Sequence, residues 1–565
     1  MDTRASFFLL LDYKIYYGEE KSLDQVVSLI NGIPSLTLIN YLSGFNVNLY
    51  LHDNDDDTGK IQFQLVNSLL CKCDDRVQAH WVEVVRREGN NGFKPIMFYN
   101  YSNLIFYNIV FKNFNDLPCR DLTSEEARRF FDAYLIINSA VNNKYDIDYS
   151  KCKEEIRSGH IENVTITNFI YQRDYTSTLD FSNQIIRGIE FFKYLENDPI
   201  YGPYVPDYYK NKNVNGYLDM FRSLGALVCY IGIPNERRCQ LAILENEINA
   251  NIVNEEYLES LSINKEIGNY VEDISFKNLR ERPLYRFDRY RFFILDINFL
   301  FDQFYKAQFF SFNSFVKLRG GLDNFLSDKG KHFTEEKYMP KIIDKCFPNY
   351  VRFYGDSCKD SNNEELCDAY IREKNRICII ECKDVILNAG IKNSGDKAKL
   401  FEEFDKKFVK NEKGKQKGIT QLYNAIIDID SHSVSFDSFI DSDIELYPVV
   451  LYTDNSFGID GLNKYYRELF EHRLNGVKLK ISVKPIIFIN LNYFEMHCEY
   501  FANNRLDIWN LIDEYNRYIE KPNYELTPFE IYSRWYMNKY VPEDFNSNLL
   551  SQALALIFCL KNSSH

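Results

Sequence analysis

Between Leu366 and Lys383 the chain carries two short apolar runs joined at Lys374-Asn375, and no other stretch restricts the fold as much. The runs are Leu366-Cys367-Asp368-Ala369-Tyr370-Ile371 and Ile377-Cys378-Ile379-Ile380-Glu381-Cys382-Lys383. Their length and content read as buried strands. Asparagine tolerates the left-handed conformation that a two-residue turn needs, so Lys374-Asn375 closes a hairpin. Glu373 is then expected opposite Arg376, Tyr370 opposite Ile379, and Asp368 opposite Glu381. Strand alternation sends Ile380 and Cys382 into the core and leaves Glu381 and Lys383 on the other face.

Opposed residues of a hairpin hold their Cβ atoms about 5 Å apart, so Asp368 and Glu381 should repel each other. A divalent cation between them removes the conflict. Carboxylate oxygens suit magnesium, with manganese as a substitute, and such ions keep positions free for water and phosphate. An ion so held acidifies water and stabilises charge on a phosphoryl group. Lys383, its pKa lowered by burial or held by the carboxylates, would orient or deprotonate the attacking water. These residues predict phosphodiester hydrolysis.

The surroundings agree. Residues 326–497 read as an α/β unit: a helix at Thr334–Cys346, then strands at Tyr350–Tyr354, Leu366–Ile371 and Arg376–Cys382. A helix at Ile419–Ile429, a strand at Leu446–Tyr452, a helix at Gly461–Leu474 and a strand at Lys484–Leu491 follow. Glycines and charges between Arg319 and Gly330 mark the boundary before it. Residues 1–115 read as strand-rich, on runs such as Leu36–Leu42, Phe45–Leu51 and Ile61–Val66. Asp53–Gly59 reads there as a hairpin tip, its glycine one place late for a calcium loop. Residues 116–325 read as mainly helical, with a capping box of Thr123 and Glu126. The aromatic-dense stretch Tyr285–Phe315 reads as core in preference to a base-stacking surface. Residues 498–565 read as a helical extension.

Asp368, then twelve residues, then Glu381-Cys382-Lys383 at the end of an apolar strand resembles the PD-(D/E)XK, or restriction-endonuclease-like, nuclease superfamily. The resemblance covers about residues 326–495 and implies a mixed sheet flanked by helices. It also implies Asp368 and Glu381 as metal ligands and Lys383 as the catalytic lysine. Members often add an acid on the first core helix, here Glu335 or Glu336, and a glutamine after the lysine strand, here Gln421. Asp368 follows Cys367 where many members have proline, and Ala425 stands where one branch has tyrosine. The resemblance favours DNA over RNA as substrate, and suggests a prokaryotic restriction or anti-phage defence effector.

Lys410, Lys413, Lys415 and Lys417 are expected to form a mobile loop beside the site that contacts phosphates without reading sequence. The net charge of −14 argues against a binder that uses its whole surface, and leaves room for a local basic groove. No apolar run approaches the roughly 20 residues needed to cross a bilayer. Together with scattered cysteines and no signal-peptide pattern, this points to the cytoplasm. The competing expectation is a latent or non-catalytic nucleic-acid-binding subunit that needs a ligand, a protein partner or a second copy on residues 1–325.

Overall fold

A computed structural model describes residues 7–558 apart from 53–54, 145–154, 156, 177–180, 232–239, 360–363, 432–433, 435, 438–442 and 541–547. The architecture is mixed α/β. Strands β1 (Phe7–Leu10) and β2 (Phe93–Ile96) pair in parallel. β3 (Leu241–Ile243), β4 (Leu284–Arg286) and β5 (Arg291–Ile294) form a small antiparallel sheet in the order β3-β5-β4.

The strand-rich reading of residues 1–115 is corrected by the structure. Leu36–Leu42 and Phe45–Leu51 belong to one helix, Ser35–Leu51, and Ile61–Val66 lies within another, Asp55–Leu70. Helix Ser35–Leu51 is buried along most of its length, including Ser43 and Asn46. A helix buried on all sides loses the polar stripe that marks helical period, and short apolar runs then mimic strands. The acidic cluster Asp53–Gly59 runs into helix Asp55–Leu70 and is no hairpin tip; Asp53 and Asn54 lie outside the described residues. The capping box forms: Thr123 N donates to Glu126 Oε2 at 2.9 Å, and Glu126 N donates to Thr123 Oγ1 at 3.3 Å.

The main sheet contains β6 (Val351–Tyr354), β7 (Ala369–Glu373), β8 (Arg376–Lys383), β9 (Glu445–Tyr452), β10 (Ser482–Val483) and β11 (Ile487–Asn490). β6, β7 and β8 are an antiparallel meander, and β9 lies parallel to β8 over its full length. β10 and β11 are two segments of one run along β9. Their break at Pro485 faces Tyr447 and Pro448, and prolines lack the N–H that a ladder needs.

Both faces of the sheet are covered, as alternation along β8 records. Cys378, Ile380 and Cys382 enter a core shared with helices Met339–Cys346, Leu491–Ala502 and Ile508–Ile519. Ile377 and Ile379 enter the opposite core, under helices Lys397–Phe408, Gly418–Asp430 and Leu462–Leu474. The first of these cores also takes Phe191, Phe221, Phe304 and Phe312 from the preceding helices, so it joins the sheet to residues before 326. The aromatic stretch Tyr285–Phe315 supplies core: Phe292, Phe301, Phe304 and Phe312 are all buried.

Candidate active site

The hairpin register is the expected one, Glu373 against Arg376 and Tyr370 against Ile379. The positive φ falls on Lys374 (+55°), while Asn375 uses its side chain to donate to Asp443 O at 2.8 Å. Asp368 departs from the expected ladder pair. It sits in a bend one residue before β7, and its Oδ2 accepts from Cys382 N at 2.6 Å. The side chain thus continues the strand pairing that its own backbone has left, and stays beside Glu381.

Glu381 is 1% exposed and accepts from Lys383 Nζ at 2.7 Å. Burial pushes the Glu381 carboxyl well above its ordinary pKa, and Asp368 adds to this against the opposing pull of Lys383. Of the two expectations for Lys383, a pKa lowered by burial or a hold by the carboxylates, the direction of its shift agrees with the second. Burial acts to lower it, but Glu381, Asp368 and Glu335 outweigh burial and hold it as a cation. Gln421, in the first turn of helix Gly418–Asp430, places Oε1 3.5 Å from Lys383 Nζ, the outer limit of a hydrogen bond. Gly418 makes room beside them. A Cβ there would stand 3.0 Å from Phe408 O and 3.4 Å from Lys383 Cε.

Of the two candidate glutamates only Glu335 faces this cluster. Glu336 is exposed and paired with His332 Nδ1 at 2.8 Å. Glu335 is half-buried, and burial followed by repulsion from Asp368 raises its carboxyl from 4.5 to about 8. Glu365 is a further acid that sequence reading passed over; burial and then Asp368 raise it too. Its only signal was the acidic pair Glu364-Glu365 just before Asp368. Nothing in strand period brings it to the site, because it lies in the irregular segment before β7.

The donor set fits a hard divalent cation: it is made of carboxylate oxygens, with Glu381 and Asp368 buried and Glu335 half-buried, and burial disfavours the anions of Glu381 and Glu335. The acids of this site are not drawn into a closed cage. Among the described residues the one His/Cys/Asp/Glu trio with ligand atoms within 4.8 Å of one another is His160, Glu162 and Glu468. That trio has its own cation, since Lys464 Nζ lies 2.9 Å from Glu162 and 3.6 Å from Glu468.

The Glu335 carboxyl gives a test through stability. The folded chain holds this proton more tightly than the unfolded chain, so its contribution is full below about 4.5 and is lost as pH rises towards about 8. Without metal, the melting temperature is expected to fall across that window. A cation on the carboxylates opposes the loss, so the rise in melting temperature on adding magnesium should grow with pH. Thermal unfolding with magnesium or chelator at stepped pH checks this, and a magnesium effect flat across the window would separate Glu335 from the metal.

The lysines sort into two groups. Lys392 is buried against Asp174, Lys397 pairs with Glu155, Lys399 with Asp396, Lys406 with Glu402 and Glu412, and Lys407 with Glu403. Lys410, Lys413, Lys415 and Lys417 make no ion pair among the described residues. They sit on a hydrogen-bonded hairpin and not on a loose loop. Lys410 bridges Gln416, Asn411 N donates to Lys415 O at 2.9 Å, and Asn411 Oδ1 accepts from Lys413 N and Lys415 N at 3.1 and 2.9 Å. Lys417 is half-buried, and burial lowers its pKa with help from Lys383 and Lys415.

The chain matches no family model, no curated protein and no solved structure.

Proposed function

We propose that this chain is a magnesium-dependent nuclease that hydrolyses phosphodiester bonds, with DNA favoured over RNA. One observation carries the reading: Asp368, Glu381, Lys383 and Glu335 meet at the end of a central strand, with more carboxylate than the protein itself neutralises. Clustered buried acids destabilise a fold unless a cation joins them. Glu335, Asp368 and Glu381 would hold a magnesium ion, which supplies Lewis-acid stabilisation and an acidified water.

The chain's own residues then do three things. Lys383, held as a cation, donates to a phosphate oxygen or orients the water, in preference to removing its proton. Gln421 helps Glu381 orient the Lys383 ammonium. The lysine hairpin receives the phosphate backbone next to the cut.

Cleavage of labelled single- and double-stranded DNA and RNA, with magnesium, manganese or chelator, tests the reading. No cleavage of any substrate under any metal would count against it. Replacing Lys410, Lys413 and Lys415 by Gln is expected to weaken nucleic-acid binding evenly across sequences. The slope of log affinity against log salt should fall by about 1 per contacting lysine. Fluorescence anisotropy over a salt series reads both quantities, and an unchanged slope would remove the hairpin from the interface.

One observation favours the latent alternative, in which engagement of residues 1–325 opens the site. Glu381 is 1% exposed and already bound to Lys383, so a cation must draw it away from that partner.

A further inference from the structure

We propose that Asp384 is a positioning residue that seats Glu335 for the divalent cation, a role that rests on the metal-dependent reading above. Glu335 needs such help. It accepts no hydrogen bond among the described residues, so only the placement of its helix keeps it near Asp368 and Glu381.

That placement is made by the residue next to it. Thr334 Oγ1 donates to Asp384 Oδ2 at 2.5 Å, and Lys329 Nζ lies 2.7 Å from the same oxygen. Asp384 Oδ1 accepts from Thr453 Oγ1 at 2.7 Å. The aspartate directly follows Lys383, and Thr453 directly follows Tyr452, the β9 partner of Lys383. One carboxylate therefore ties three places together: the helix beside Glu335, the end of the lysine strand, and the end of its parallel neighbour. The group is buried, with 5% of its side chain exposed, and Lys329 is anchored in turn by Tyr305 OH at 3.0 Å.

The helix is wound to make this contact. Lys329–Tyr338 is a π-helix, continuing as an α-helix over Met339–Cys346. At about 3.6 residues per turn, residues five apart lie well round the helix from each other. The i→i+5 pattern puts more residues in each turn and brings Lys329 and Thr334 towards one face, where both reach Asp384. Such segments are often found at functional sites, because their looser hydrogen bonding is retained only where something repays it.

Groups that orient metal ligands from behind change metal affinity by about 10- to 100-fold when removed. Direct calorimetric titration of the full chain with manganese, without substrate, is the test. Asp384→Asn is expected to weaken manganese binding about tenfold or more, and Thr334→Val by a smaller factor. Magnesium-dependent cleavage by both variants should recover as metal is raised, because the ligands themselves remain. Thr334→Val keeps the Lys329–Asp384 ion pair, so the test stands if Asp384→Asn fails to fold. Wild type that binds manganese while Thr334→Val and any folded Asp384→Asn bind it equally well would overturn the positioning role and leave the metal site intact. Wild type that binds no manganese would overturn both.

Discussion

Replacing Glu381 or Lys383 by Ala is expected to lower magnesium-dependent cleavage by about 1,000-fold, without loss of the fold. Removing one charge-stabilising donor from a buried site typically costs about 100- to 1,000-fold, and removing a metal ligand belongs at the upper end. Both residues stand at the buried end of β8, where its pairing with β9 stops at Lys383. Truncation there is expected to lower cleavage while Ile377, Ile379 and Ile380 keep the strand in place. Lys383→Arg should not restore activity, because a planar guanidinium does not replace a compact ammonium held between Glu381 and Gln421. Cleavage assays beside melting curves separate the two effects. Metal-dependent cleavage that survives both alanine substitutions would sink the assignment of these residues.

A second large effect concerns stability. Arg187, on helix Phe181–Asn197, donates through Nε and Nη2 to Glu495 Oε1 at 3.1 and 2.5 Å. Its Nη2 also donates to Asn492 Oδ1 at 2.5 Å, and its guanidinium packs 5.5 Å from the Tyr305 ring and 5.7 Å from that of Tyr338. The two side chains are 5% and 0% exposed. Breaking such a pair leaves one buried charge with no partner, a loss of about 3–5 kcal/mol. Arg187→Ala and Glu495→Ala should each show a loss of that size by chemical denaturation. The double variant Arg187→Met/Glu495→Leu should recover much of it, because both charges leave together. A single-variant loss below about 1 kcal/mol would mean that water reaches the pair. The contact joins a helix before residue 326 to helix Leu491–Ala502 in the shared core, so the loss should appear as one transition of the whole chain.

Asp384 shows how far reading in one dimension reaches. The period of a strand ties residues two apart to one face, so Glu381 and Lys383 fell together from sequence alone, and the two-residue turn set Glu373 against Arg376. Most of the strands after residue 330 were legible for another reason: buried on both faces, β8, β9 and β11 read as short continuous apolar runs. Helix Ser35–Leu51 is buried along most of its length and was misread as strands. Helix Lys397–Phe408 has no counterpart in the sequence reading; its Lys406 and Lys407 pair with Glu402 and Glu403 one turn back. Glu365 and Asp384 lie outside the strands whose period could place them, one in an isolated bridge with Lys359 and the other just past a strand end.

By itself, then, the sequence determined the strand that carries the candidate site, its partner strand, and the acids and lysine that share its end. Tertiary structure alone decided that Glu335 and not Glu336 turns inward, that Lys383 is held as a cation, and that Asp384 ties helix to sheet. The physical reason is that local period fixes which side of an element a residue occupies. Burial, charge balance and contacts between elements far apart in the chain exist only once those elements have packed.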